Sequence, residues 1–340
     1  MNRRVYRMVP KAGSINNLKL MEESLDPPKE EEVQVNVKSI GLNFADIFAM
    51  FGLYSATPEG SFIPGLEYAG DVIAMGKKVK NLKEGDRVMG VTRFGGYADQ
   101  INVDQDYVVL LPADWKYEEG TAFLVQAFTA YYALIELADI RQNQTVMIHS
   151  AAGGVGILAN RIAKRFNAYT IGTIGSENKI ELLKAEGYDD WIVRSSNFRE
   201  DLRKKLGQRD LNIVLECIGG QIFRDGFRLL APEGRMIVYG AANYASPTHR
   251  PDYLKLVWKY WKRPKLDPQR MIEWNKSVMG FNLIHLYHKK ERIALYSKQL
   301  QDLDIGKPYV GHIYPFEDLI KAVRFFQTGR TTGKVVVNTT

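Results

Sequence analysis

The chain has 340 residues, 45% of them hydrophobic and 25% charged, enough apolar material for two ordinary cores and more than one core needs. No run of roughly 18 apolar residues occurs, which argues against a spanning helix, and the opening MNRRVYRMVPKAGS lacks the apolar core of a signal peptide. The balance is basic, 46 Lys and Arg against 39 Asp and Glu for a net charge of +7; with no zinc-finger spacing and no aromatic-basic RNA signature, this charge suits phosphorylated small molecules and not nucleic acid.

The first third reads as β-rich. EEVQVNVKSIGLN alternates, EYAGDVIAMGKKV and GDRVMGV supply short strands between glycine turns, and GGYADQINVDQDYVVLLP continues the pattern to Pro112. YEEGTAFLVQAFTAYYALIELADI then places apolar residues at helical spacing. From Thr145 onward apolar strands (TVMIHS, AYTIGTI, DWIVR, LNIVLECIG, GRMIVYGA) alternate with helices beginning near Gly154, Glu177, Phe198 and Gln221. Short buried runs interleaved with amphipathic helices indicate an α/β, doubly wound parallel sheet. The C-terminal YPFEDLIKAVRFFQTGRTTGKVVVN reads as an amphipathic helix, a glycine turn and a closing strand. The single cysteine, Cys217, cannot form an internal disulfide, which fits a reducing, cytoplasmic setting. It lies in an apolar strand pattern and reads as core, not as a nucleophile.

Between the first of these strands and its helix stands AAGGVG (151–156). Gly153 and Gly156 occupy the second and third glycine places of a dinucleotide fingerprint, one admitting the pyrophosphate and the other letting helix and strand pack closely. Ala151 stands at the first place, where a small side chain fits if its φ is negative. Ala152, Gly153, Gly154, Val155 and Gly156 are thus the expected phosphate-facing segment, aided by the free N–H groups of the helix start. A tight turn without cofactor is the plainer alternative. An NAD enzyme carries an acid roughly twenty positions on, at the end of the second strand. Here that end carries Thr173, Ser176 and Lys179, with Arg194 ending the third strand. Hydroxyls and cations suit a 2′-phosphate, and the expected cofactor is NADPH.

With GLNFADIFAMFGLY, IPGLEYAGDVIAMGKKV, GDRVMG, FTAYYAL, AAGGVG and TTGKVVV in this order, the chain resembles the medium-chain dehydrogenase/reductase superfamily. Within it the sequence is most similar to the zinc-independent quinone oxidoreductase branch that contains the vesicle amine transport protein homologues. The resemblance implies a GroES-like β domain from residues 1–122 and 284–340, and a Rossmann domain over 123–283, with the active site in the cleft between them. It also implies a homodimer formed through the Rossmann domains. The superfamily's zinc ligands fall on Asn43, Leu66 and either Val125 or Gln126, none a good partner for Zn²⁺, so a zinc-free site is expected.

Without a metal, a conjugated acceptor such as a quinone or an α,β-unsaturated carbonyl is the expected substrate, since it spreads the incoming charge. The resemblance brings Asn43, Asp46 and Tyr54 to the reacting centre as orienters or donors. It brings Gln126, Thr129, Tyr239, Gly240, Ala241, Phe281 and Lys334 to the cofactor. Asp46 equally suits a helix cap, Tyr54 loop packing and Thr129 a contact to its own helix backbone. Arg93 reads as a rim salt bridge, and His285 and His288 as surface residues. Finally, a basic, tryptophan-rich insert at about 244–276 includes LKLVWKYWKRPK. It reads as a packed surface helix or oligomer contact, or as an interfacial helix on an acidic membrane. The last option keeps open an alternative in which the protein is mainly a lipid- or partner-binding protein and the nucleotide site is structural or regulatory.

Overall fold

Two large sheets organise the chain, described over residues 2–340 by a computed structural model. An antiparallel hairpin opens it, β1 (Asn2–Met8) on β2 (Leu18–Ser24). A seven-stranded mixed sheet follows, five of its strands being β3 (Glu32–Gly41), β4 (Glu67–Met75), β5 (Arg87–Val91), β6 (Gln100–Asp104) and β7 (Val108–Leu110). The inward positions of β3, among them Val33, Val35, Val37 and Ile40, are fully buried, as the alternation in the sequence requires.

The second sheet has six strands: β8 (Thr145–His149), β9 (Tyr169–Ile174), β10 (Asp190–Val193), β11 (Leu211–Glu216), β12 (Leu230–Val238) and β13 (Ser277–Gly280). Its order is β10-β9-β8-β11-β12-β13, all parallel. The chain reverses direction across the sheet between β8 and β11, and the strand ends there form the crevice in which such sheets take ligands. Every residue of β8 is buried, because helices cover both faces of a parallel sheet. The helix Gly154–Lys164 turns Ile157, Leu158 and Ile162 inward.

The end of the chain returns to the first sheet. Strand β14 (Val310–Pro315) pairs with β15 (Lys334–Asn338), which pairs antiparallel with β3. The α/β architecture with a doubly wound sheet follows the expectation from sequence. Three features do not. The apolar stretch from Tyr117 is broken into Tyr117–Gly120, Leu124–Tyr131 and a wide turn over Tyr132–Leu137. β13 spans only four residues, too short for a periodicity to show. β14 lacks a buried residue to betray it. The insert forms two helices, Tyr253–Trp261 and Pro268–Trp274, capped by Asp252 and Asp267, and neither buries a single residue.

Phe316, between β14 and the helix Leu319–Gln327, ties the returning segment to the opening hairpin. It is 1% exposed, its ring lies 5.2 Å from that of Tyr6, and the Arg4 guanidinium stands 5.0 Å over it. Phe316→Ala should lower stability by about 3–5 kcal/mol, the range for a buried aromatic cut to alanine. A urea denaturation series checks this.

Candidate functional site: a cleft at the seam of the two sheets

A cleft of about 930 Å³ runs along the seam, from the ends of β8 and β11 to the helix Phe44–Met50. Its floor is the glycine loop. The positive φ there falls on Ser150, at 51°, and not on Ala151, so alanine carries no left-handed strain. A Cβ on Gly156 would stand 2.6 Å from the Ser150 carbonyl oxygen, and one on Gly154 would stand 2.9 Å from Gln126 Cγ. Gly153 is the N-cap of the helix and offers no side chain, while the first intrahelical bond runs from the Ile157 N–H to the Gly153 carbonyl. The N–H groups of Gly154, Val155 and Gly156 therefore have no helical acceptor and line the cleft beside Ala152.

At one end lie the cations beyond β9. Lys179 is 8% exposed and donates to the carbonyls of Gly329 (2.7 Å) and Thr331 (2.8 Å). Arg194 donates to the Thr173 carbonyl and hydroxyl, both at 3.2 Å. Burial lowers the pKa of both, and the nearby Arg194 charge lowers that of Lys179 further. Both line the cleft, and among the described residues neither is in an ion pair. Gly175 sits just beyond β9, where an acid would stand in an NAD enzyme, and a Cβ there would approach Arg194 Nη2 to 3.3 Å. Thr173 is buried behind Arg194, its hydroxyl 2.6 Å from His149 Nδ1, and Ser176 bonds Asn178; neither lines the cleft.

At the other end a buried polar cluster forms around Asn43. Its carboxamide oxygen accepts from Gln126 Nε2 (2.7 Å) and Lys334 Nζ (2.9 Å). Its Nδ2 donates to Glu67 (2.9 Å) and to the Gly41 carbonyl (3.3 Å). Glu67 also accepts from Gln126, from the Val125 N–H and from Lys334. Gln126 Oε1 is buried without a partner. The Tyr54 hydroxyl donates to Asn282 Oδ1 at 2.6 Å and its pKa is pushed up to about 12, chiefly by burial. The Thr129 hydroxyl donates to the Val125 carbonyl, one turn back. Tyr239, Gly240, Ala241 and Phe281 line the middle of the cleft, with the rings of Tyr239 and Phe281 stacked at 6.2 Å.

Asp46 stands behind this wall. Its Oδ2 accepts from the Asn43 N–H (2.7 Å) and the Tyr97 hydroxyl (2.9 Å), and its Oδ1 has no partner. Cys217 differs from its expected place in the core: β11 ends at Glu216, and the thiol faces the cleft 3.4 Å from Ser150 Oγ. Arg93 is exposed and, among the described residues, forms no ion pair, against its reading as a rim salt bridge. Glu67, Asn282 and Gly333 escaped sequence reasoning, since a carboxylate beginning a strand and an amide after a short one resemble ordinary surface residues.

The donor set around Asn43 does not suit a zinc ion. It offers two carboxamides, a leucine and a carboxylate already bound to an ammonium, and that ammonium would repel a metal. Among the described residues no group of three or more His, Cys, Asp or Glu is placed to hold one.

Comparison with known proteins agrees with this geometry. A family model described as alcohol dehydrogenase GroES-like domain matches residues 29–113, and one described as zinc-binding dehydrogenase matches 154–297. The chain is 31% identical to the synaptic vesicle membrane protein VAT-1 homolog of Rattus norvegicus, over 96% of this chain and 81% of that protein. The structure of Escherichia coli quinone oxidoreductase complexed with NADPH superposes with a TM-score of 0.85 at 25% identity, covering 99% of this chain and all of that one, 100%. The CurK enoyl reductase gives 0.82 at 25%, covering 98% and 99%.

Burial raises the Asp46 carboxyl from 3.8 to about 7, so the folded protein holds this proton more tightly than the unfolded chain. The stabilisation is complete below pH 4 and is lost as pH rises toward 7, by at most about 1.4 kcal/mol per pH unit. Asp46→Asn should flatten this part of the stability profile, which urea midpoints between pH 4 and 8 would reveal.

Proposed function

The chain belongs to the VAT-1-like quinone oxidoreductase branch of the medium-chain dehydrogenase/reductase superfamily, and we propose that it is a zinc-independent reductase that uses NADPH on a quinone or an α,β-unsaturated carbonyl. One observation carries the cofactor: two cations, Lys179 and Arg194, face the cleft without a carboxylate partner. Buried cations without counter-ions are costly, and an anionic group between them removes the cost. A 2′-phosphate is such a group. The three helix-start N–H groups suit the pyrophosphate, and the orphaned Gln126 Oε1 suits a carboxamide NH₂.

When bound, NADPH supplies a hydride. The protein's own contribution is to hold that donor against an acceptor and keep water away. Phe44, Phe48, Leu53 and Phe326 wall the reaction end, which favours flat apolar acceptors, and the proteins of similar structure include a quinone oxidoreductase and an enoyl reductase. In this reading the protein is cytoplasmic and works as a homodimer through the parallel sheets, whose edge strand β13 has one side unpaired.

A second reading rests on the insert. Leu254 is 85% exposed, Trp261 83% and Ile272 74%, and Lys255, Lys259, Lys262 and Arg263 lie among these side chains. Exposed tryptophan amid lysine suits peripheral contact with an anionic lipid surface, alongside reduction or in place of it.

Each reading has its own measurement. Arg194→Gln should weaken NADPH binding roughly 10- to 100-fold, the worth of a charge-assisted hydrogen bond, and leave NADH binding nearly unchanged. Fluorescence titration with both nucleotides decides; equal affinity for the two in the unaltered protein defeats the cofactor assignment. Replacing Leu254 and Trp261 together with serine should abolish salt-sensitive co-sedimentation with phosphatidylserine vesicles. Sedimentation that ignores the change would remove the insert from consideration.

A further inference from the structure

The hydrogens around Asn43 are nearly all engaged, and this decides which group can meet a substrate. Both Asn43 Nδ2 hydrogens go to Glu67 and the Gly41 carbonyl. Both Gln126 Nε2 hydrogens go to Asn43 and Glu67. The hydroxyls of Thr129 and Tyr54 donate to Val125 and Asn282. Lys334 differs: an ammonium has three N–H donors, and Nζ has two acceptors, Asn43 Oδ1 and Glu67 Oε1. The residue is 3% exposed and lines the cleft.

Two further features keep this cation effective. Glu67 shares its charge among the Val125 N–H, Asn43, Gln126 and Lys334, so it tethers the ammonium without being its private counter-ion. Position is fixed as well, since the preceding Gly333 donates to the Ala152 carbonyl at 2.7 Å and pairs with Gly153. The strand therefore begins against the glycine loop, while the ammonium reaches Asn43, one of the superfamily's zinc places. Burial lowers its pKa, while Glu67 pushes the other way.

We propose that Lys334 is a catalytic residue whose free N–H binds the carbonyl oxygen of the acceptor and stabilises the negative charge that develops there, in the place a metal ion holds elsewhere in the superfamily. The inference rests on the reductase reading above. NADPH loses a hydride and becomes NADP⁺; the hydride bonds to the β-carbon of the acceptor. The C=C electron pair shifts toward the carbonyl, and the C=O pair goes onto oxygen. Lys334 keeps its proton and hydrogen-bonds this oxyanion, and the α-carbon then takes a proton from water. Neutral donors also line the cleft, among them the Asn282 amide beside Tyr54 and the Tyr287 hydroxyl, and a neutral donor holds an oxyanion less strongly than an ammonium.

The test uses the full chain and 4-nitrophenol, whose phenolate mimics the oxyanion and whose ionisation is visible by absorbance. In the unaltered protein, with or without NADP⁺, bound 4-nitrophenol should ionise about one pH unit or more below the free compound. Lys334→Met should remove this shift and Lys334→Arg should keep it. Lys334→Met should also cut kcat with an enone roughly 10²–10³-fold, the effect of losing one oxyanion donor. Because Lys334→Met leaves Glu67 buried and unpaired, the double variant Lys334→Met, Glu67→Gln repeats the measurement in a neutral cluster. An unshifted phenol in the unaltered protein overturns the assignment. So does a folded double variant with the original shift and turnover, or a loss that follows Asn282→Ala instead. A protein that binds no NADPH yet ionises the phenol through Lys334 would defeat the reductase reading and leave this anion site standing.

Discussion

The contact on which the cleft depends is between two backbones. The Gly333 N–H donates to the Ala152 carbonyl, and Gly333 pairs with Gly153 across the seam between the sheets. Only glycine can stand there: its φ is +56°, and a Cβ would press against both ring and carbonyl of Tyr309. The strand that closes the mixed sheet thereby begins on the loop that opens the first helix of the parallel sheet.

Buried charge follows from it. Bringing β15 onto the loop places an ammonium 3% exposed beside a carboxylate 1% exposed. Desolvating such a pair costs several kcal/mol per ion unless further hydrogen bonds satisfy it. Here two carboxamides and the Val125 N–H supply them. The network is almost saturated, and its exceptions are informative. Gln126 Oε1 and one Lys334 N–H lack partners on a wall that faces the cleft, whereas the Asp46 orphan Oδ1 lies behind it, where burial favours the neutral carboxyl.

How much of this was legible in the sequence depends on the range of the interaction. The alternation in β3, the apolar run of β8 and the glycines at 153 and 156 are local, and local periodicity and turn chemistry revealed them. The doubly wound sheet followed from strand-helix alternation. What periodicity could not disclose were partnerships between distant segments. Glu67 meets Lys334 across 267 positions, and Tyr54 meets Asn282 across 228. Lys179 reads from sequence as a cation for a 2′-phosphate, and nothing nearby hints at its two carbonyl acceptors near the chain's end. Cys217 was placed in the core because an apolar pattern does not mark where a strand stops and its crevice begins.

The same short segment governs both ends of the cleft. Gly329 and Thr331 hold Lys179 with their carbonyls, Gly333 docks on the loop, and Lys334 joins Glu67 and Asn43. The two lysines are held differently, and the difference matches their surroundings. Neutral carbonyls orient Lys179 but leave its charge uncompensated, as a site for an anion requires. Lys334 instead has a carboxylate beside it, one shared with Asn43, Gln126 and the Val125 N–H, and its remaining hydrogen stays available. A shift of this segment by even an ångström would misplace both cations at once, so its fixed docking on the glycine loop is what lets a single backbone register set the distance between Lys179 and Lys334.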